Sequence, residues 1–438
     1  MDLREKFQIY QEQSSNTLNE MINFGINLEN LTFEEVVNFC KREIPEGINL
    51  DYKKELSPKG ISKLISAFAN TNGGLVIIGV EEDKNTGKPL KWEGITNLND
   101  TIERINQDAG KIIPPPPLKI FTSTKGKNNN YFVLILVSEG IETPYYIFND
   151  PNIWIRTGNI NKPIDIANPQ WAEYLFFKKQ KADIYREKLI KEAKLIYDNA
   201  LNLEEKRRIK EIESAKMKND GSEKNYYQKP LGQNVSMCEI IIMPFYPYKE
   251  LANPRDIKQN IREIQFGFKS FPDYNLKPMP SGLYYFTHGY NGYLECQQIF
   301  SNGLIFFKFD FLKIDKGLNL IDTHLFFLYL FLWLKVSQKF YKKYNYNGSL
   351  ILKINFENTK NCFFKKFNYS FKNEFIEALK DNYQWNFDFD TFLLNENEKL
   401  IDFFKEALDK IYWDIGYLEE INKKQLINFL KQNYIKID

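Results

Sequence analysis

The stretch from Ser66 to Asp83, SAFANTNGGLVIIGVEED, constrains the fold more than any other part of the chain. Ser66-Ala67-Phe68-Ala69 completes a helical pattern that begins near Lys59. Asn70-Thr71-Asn72-Gly73-Gly74 follows as a turn signal, because Gly and Asn accept the positive φ at which a helix stops. Leu75 to Val80 is a short apolar run rich in β-branched residues and reads as a buried strand. That strand delivers Glu81, Glu82 and Asp83 to its C-terminal end. A helix end, a tight turn, a buried strand and an acidic cluster in one run require a sheet with a helix packed on it. The turn itself has two readings: backbone N–H groups that cradle a phosphate, or a device that only ends a helix. The second is favoured.

The surrounding pattern predicts an α+β chain. Strands are expected at 49–55, 75–80, 117–122, 131–138 and 153–157 and helices at 59–70 and 99–110, giving a sheet with helices on one face. Residues 1–40 read as a helical segment, with Thr32-Phe33-Glu34-Glu35 as a capping box. Pro169 to Met217 reads as one long, charged helix, and Lys218 to Lys229 as a polar linker. Beyond it, strands are expected at 238–244, 282–286, 292–297, 304–311 and 348–356, the middle three consecutive and antiparallel. Helices are expected at 318–341, 374–381, 396–412 and 423–434. The resulting domains are 1–40, 41–175, a helical linker 176–230, and a mixed α+β domain 231–438 that suits a sensor or interaction role, where a trigger or partner protein would bind.

Composition narrows the function classes. The net charge is +2, so nucleic-acid binding requires a local basic patch rather than a global field. The four cysteines, Cys40, Cys238, Cys296 and Cys362, form no CxxC pair, which argues against a zinc site and for a reduced, cytoplasmic setting. The opening Met1-Asp2-Leu3-Arg4-Glu5-Lys6 is charged, so no secretory signal is expected. The longest apolar run, Leu325 to Leu334, is too short to cross a bilayer, and no membrane association is expected. His288 and His324 lie far from the acidic cluster, which disfavours a His-based nuclease or a Ser-His-Asp hydrolase in the first domain. The chain has no GxxxxGK[ST] pattern, so ATP chemistry by the P-loop route is disfavoured.

Several pieces recur in an order and spacing that resemble a known family. They are Leu50-Asp51-Tyr52-Lys53, the turn and strand at 70–80, the step Ile113-Pro114-Pro115-Pro116-Pro117, Thr143-Pro144-Tyr145-Tyr146, and Ile153-Trp154-Ile155-Arg156-Thr157-Gly158-Asn159. Together they resemble the Schlafen AlbA-like domain over roughly residues 41–175. The resemblance implies a nucleic-acid-binding module, and, by analogy with eukaryotic members, a metal-dependent endoribonuclease acting on transfer RNA or similar structured RNA. In those members the nuclease activity is attributed to three carboxylates. Here Glu46 and Asp51 have the matching spacing of five, Glu81 holds the third place, and Lys53 supplies the lysine. Asp51 departs from the more usual Glu. Glu82 competes with Glu81, the alternation of the strand decides between them, and we favour Glu81. In a bacterium, such an enzyme with a sensing domain would suit an antiphage effector. The family builds its RNA-gripping ring from two modules, and a homodimer would supply the second. A non-catalytic DNA- or RNA-binding regulator and a nucleotide-binding scaffold are the alternatives.

The chemistry is coherent without the family. Phosphodiester cleavage uses Mg²⁺ or Mn²⁺ to activate water and stabilise the leaving oxygen, and such hard cations take carboxylate oxygens; the resemblance implies that Glu46, Asp51 and Glu81 supply them. Asp51 and Lys53 lie two apart on a strand and share a face. Lys54, Lys59 and Lys63 are candidate phosphate contacts, and on the 153–157 strand Trp154 is a candidate base platform and Arg156 a candidate phosphate ligand. For Trp154 and Arg156 a core role is the equal alternative.

Overall fold

The computed structural model describes residues 28, 31–164, 169–217, 236–264, 276–288, 294–315, 318–344, 346, 348–365, 375–390 and 397–433. The helical segment expected before residue 28 and the linker expected at 218–229 lie outside these residues. The chain divides into two compact units, Met1–Asp183 and Ile184–Asp438.

The first unit runs α1 (Phe33–Cys40), β1 (Leu50–Lys53), α2 (Ser62–Asn70), β2 (Gly74–Ile78), β3 (Val80–Glu82), β4 (Pro89–Trp92), α3 (Leu98–Ala109), β5 (Ile112–Ile113), β6 (Leu118–Thr122), β7 (Val133–Val137), β8 (Tyr146–Ile147), β9 (Ile153–Thr157) and β10 (Ile160–Ile164). The capping box forms as its sequence predicts, with Thr32 Oγ1 accepting from the Glu35 N–H at 3.2 Å and Glu35 Oε2 accepting from the Thr32 N–H at 2.8 Å. The central sheet has the order β1-β2-β7-β6, with β1 parallel to β2 and the remaining pairs antiparallel. Strand alternation splits its core in two. Val76, Ile78 and Ile135 pack with Ile65 and Phe68 of α2 and Ile105 of α3. Tyr52, Ile77 and Leu134 pack with Val36 and Phe39 of α1. The helices therefore cover both faces of the sheet rather than the one face expected from sequence.

Two glycines shape the region that the sequence marks as decisive. Gly73 has φ +71°, and a Cβ there would meet the Val137 carbonyl oxygen at 2.5 Å. The Thr71 and Gly73 N–H groups both donate to the Phe68 carbonyl, so the turn closes the helix. Gly79 has φ +103°, and a Cβ there would meet the Gly94 backbone at 2.7 Å. This residue breaks the expected continuous strand 75–80 and redirects the chain into β3, which pairs with β4.

The second unit holds β11 (Met237–Pro244), α5 (Pro254–Ile264), β12 (Lys277–Met279), β13 (Gly282–His288), β14 (Leu294–Phe300), β15 (Ile305–Asp310), β16 (Leu312–Asp315), β17 (Leu318–Ile321), α6 (Thr323–Lys343), β18 (Ser349–Glu357), β19 (Phe363–Lys365), β20 (Phe375–Glu377), β21 (Tyr383–Asp390), α7 (Asn397–Asp414) and α8 (Lys423–Gln432). The long helix Pro169–Met217 precedes it in the chain. β12-β13-β14-β15-β11-β18-β21 form one antiparallel sheet, and β16-β17-β19-β20 a smaller one. Three expectations fail here. Residues 318–321 are a strand, and the helix starts only after Asp322, whose side chain accepts from the Leu325 N–H. Residues 375–377 are a strand rather than part of a helix 374–381. The strand 383–390 was not expected. Among the described residues, no helix is long and apolar enough to cross a membrane.

One face of the large sheet is packed by α5, α6 and α7 around a core rich in aromatic residues. A polar row crosses the sheet through register partners Cys296, Lys308, Glu239 and Asn355. Glu239 is fully buried, and its oxygens take Lys308 Nζ at 2.8 Å, Lys194 Nζ of the long helix at 2.8 Å and Asn355 Nδ2 at 2.9 Å. Lys308 also reaches Glu357 at 2.6 Å. Burial opposes ionisation of Glu239, but the charges of Lys308 and Lys194 outweigh it and hold the carboxyl below its ordinary value. Losing one partner of such a network strands a buried charge. Lys308→Met should therefore lower stability by about 3 kcal/mol in urea unfolding. Lys343→Met, which removes the exposed pair with Glu263, should change it by less than about 1 kcal/mol.

Candidate functional site

The first unit contains a cleft of about 620 Å³, bounded by the turn before β1, β1 itself, the start of α2, the β3–β4 hairpin and the β9–β10 hairpin. Its floor is built around Arg156. β9 is brought onto α2 by side chains at the helix end: Asn70 Nδ2 donates to the Tyr145 and Trp154 carbonyls at 2.7 and 2.9 Å, and Thr71 Oγ1 accepts from the Arg156 N–H at 2.9 Å. This attachment buries the Arg156 side chain, which is 1% exposed. Its Nη2 meets Asp51 Oδ2 at 2.8 Å and the Leu50 carbonyl at 3.2 Å. Nε reaches the Gly47 carbonyl at 3.2 Å, and Nη1 reaches Asn161 Oδ1 at 3.1 Å. The guanidinium is thus fully engaged with the protein. It fixes the 47–51 segment, and the reading of Arg156 as a phosphate ligand gives way to the core alternative.

Asp51 and Lys53 share a face, as their spacing predicts. The Lys53 ammonium contacts Asp51 Oδ1 and stands 3.9 Å from Glu46 Oε1. Glu46 is held by its own backbone N–H, which donates to the Gly87 carbonyl at 2.8 Å, and by Oε1, which accepts from the Tyr52 N–H at 2.6 Å. Burial, the neighbouring Glu82 carboxyl and the nearby Asp51 charge together push Glu46 up to about 8, against the opposing pull of the Tyr52 N–H and Lys53.

Glu82, not Glu81, lines the cleft. The irregularity in β3 between Glu81 and Glu82 separates their directions. Glu81 pairs instead with Lys54 at 3.0 Å, which holds its carboxyl below the ordinary value. The expected set of Glu46, Asp51 and Glu81 is therefore not assembled, and among the described residues no three His, Cys, Asp or Glu side chains form a metal-holding group. The reason is electrostatic: Asp51 is saturated by Arg156 and Lys53, and Glu81 by Lys54.

Of the candidate phosphate contacts, Lys63 lines the cleft, whereas Lys54 and Lys59 are exposed and are not part of its lining. Lys84, at the hairpin tip, lines it and was not anticipated from sequence. The Lys63 ammonium sits 4.2 Å from the centre of the Trp154 ring, whose Nε1–H donates to Asp150 Oδ2 at 2.9 Å.

A four-stranded sheet covered on both faces, with a carboxylate-and-lysine cleft at its edge strand, defines the class of this unit as an α+β domain. Residues 46–165 match the family model described as Schlafen, AlbA_2. Among solved structures, the N-terminal domain of a RecG-related protein from Nitrosomonas europaea is similar at 15% identity, over 29% of this chain and 88% of that one, with a TM-score of 0.23. No curated protein matches the chain.

The carboxyl pair sets a pH dependence. Glu46 in the folded protein holds a proton more tightly than in the unfolded chain, so folding is favoured at low pH and this contribution fades as pH rises from about 4.5 to about 8. In chelator-treated protein, the melting temperature of wild type should fall relative to that of Glu46→Gln across this window. Parallel profiles for the two proteins would show that Glu46 does not hold its proton more tightly on folding.

Proposed function

We propose that the Schlafen AlbA_2 domain binds nucleic acid in this cleft and cleaves RNA there with a divalent cation. The observation that carries the reading is the meeting of three carboxylates, Glu46, Asp51 and Glu82, with the lysines Lys53, Lys63 and Lys84 in one cleft beside an aromatic ring. The lysines and Arg156 outnumber the carboxylates, and the raised Glu46 carboxyl reduces the negative charge further, so a phosphate is not repelled.

The donor set fits a metal in a restricted way. Two carboxyl groups lining one cleft can share a Mg²⁺ or Mn²⁺, since Mg²⁺ is commonly held by one or two carboxylates with water and substrate phosphate completing its shell. Glu46 and Glu82 would hold it. When bound, the cation would lower the pKa of a water and stabilise charge on the phosphate. Asp51 acts through others: it anchors Lys53, whose ammonium lies between it and Glu46 and stands where negative charge develops.

The test is cleavage of total RNA by purified protein with Mg²⁺ or Mn²⁺. Glu46→Gln and Glu82→Gln should each lower the rate at least about a hundredfold, the scale of a lost positioned acid–base or charge-stabilising group, while Glu81→Gln should retain wild-type activity. No cleavage by wild type under either metal, or equal loss in Glu81→Gln, would overturn the catalytic reading.

A further inference from the structure

We infer that the cleft accepts an unpaired nucleotide, with its base on the Trp154 ring in the place that the Lys63 ammonium takes in the free protein. This rests on the nucleic-acid reading above and specifies its substrate class.

Three observations converge on it. The first is the ring. The Trp154 ring is anchored by its Nε1–H bond to Asp150 and by packing against the core, and the Asn70 bond to its carbonyl anchors its backbone, so the ring is positioned before any ligand arrives. A fixed aromatic face at a cleft wall is a stacking platform, and it is indifferent to base identity because every base has a π-face. The second is Lys63. Its ammonium lies over the ring while its residue remains exposed at the cleft mouth. An exposed cation–π contact is weak, whereas a base brings both a larger stacking surface and a phosphate. The ammonium therefore exchanges the ring for the phosphate, and one side chain serves the empty and filled states. The third is the adjoining strand. Ile160, 55% exposed, lines the same cleft, and Asn161, the register partner of Arg156, spends its Oδ1 on Arg156, which leaves its amide N–H₂ directed away from the guanidinium. An apolar side chain and amide donors in one cleft with an aromatic ring suit the face and edge of a base.

A cleft of about 620 Å³ accommodates a nucleotide or two, within the usual range of small-molecule sites. A base within a duplex is stacked on its neighbours and cannot present its face to Trp154, so an unpaired residue in a loop, bulge or single strand is selected.

The experiment is fluorescence anisotropy with the full chain, in EDTA to prevent cleavage, using a labelled mixed-sequence single-stranded RNA 12-mer and the same sequence as a duplex. The single strand should bind at least about tenfold more tightly than the duplex, and Trp154→Leu should remove about that factor for the single strand alone. Ile160→Asp, at an exposed position, should weaken single-strand binding in the same way and carries the test if Trp154→Leu does not fold by circular dichroism. Lys63→Met should reduce the slope of log affinity against log salt by about one unit of phosphate contact. If both RNAs bind equally, or the single strand is unaffected by Trp154→Leu and Ile160→Asp, the inference falls while nucleic-acid binding stands. If neither RNA binds, both fall.

Discussion

The buried pairing of Arg156 with Asp51 is the interaction on which the geometry of the cleft depends. A guanidinium taken out of water is costly unless its donors are satisfied and its charge is matched. Here the fork meets one carboxylate, two backbone carbonyls and an amide oxygen, all from segments that would otherwise be independent. The carbonyls of Gly47 and Leu50 bracket the entry to β1, so the cation sets the path of the chain between Glu46 and Asp51. A lysine lacks the planar set of donors needed to hold these groups at once. The placement of Glu46 is thus a consequence of a charge on β9, distant in sequence. Because Arg156 is occupied in this way, the cations left for a bound phosphate are the lysines at the rim.

The end of α2 works by the same logic. Asn70 and Thr71 look in sequence like simple turn residues, and their backbone does end the helix. Their side chains do more: Asn70 makes three hydrogen bonds to the backbone at Tyr145 and Trp154, and Thr71 receives the Arg156 N–H. The Gly73 amide bonds to the helix it terminates and cannot also cradle an anion. What resembles a phosphate loop is the clasp that brings Arg156 and Trp154 to the cleft.

Much of this was legible from local chemistry. The capping box at Thr32, the shared face of Asp51 and Lys53, and the helix–turn–strand at 66–78 follow from rules that act over a few residues. The failures share a cause: they depend on partners distant in the chain. The choice between Glu81 and Glu82 turns on Gly79, where the close approach of Gly94 forces a positive φ and resets the alternation that a continuous strand would have followed. Phe375-Ile376-Glu377 has helical spacing with its neighbours, yet pairs with β19 as a strand. The strand at 383–390 was available in sequence, since Tyr383, Trp385, Phe387 and Phe389 alternate with polar residues at a period of two. The burial of Arg156 had no local signal, because nothing near position 156 indicates that Asp51 and two carbonyls lie opposite it.

Under the proposed function, a site that handles a polyanion with carboxylates must solve a conflict, since the groups that would hold a cation also repel the substrate. The arrangement here separates the two in depth. Asp51 is neutralised permanently by Arg156 and Lys53. Burial and its acidic neighbours push Glu46 up to about 8, so that near neutral pH the floor of the cleft carries less negative charge than its carboxyl groups alone would give. Lys63 and Lys84 stay exposed at the entrance, where an incoming phosphate meets positive charge first.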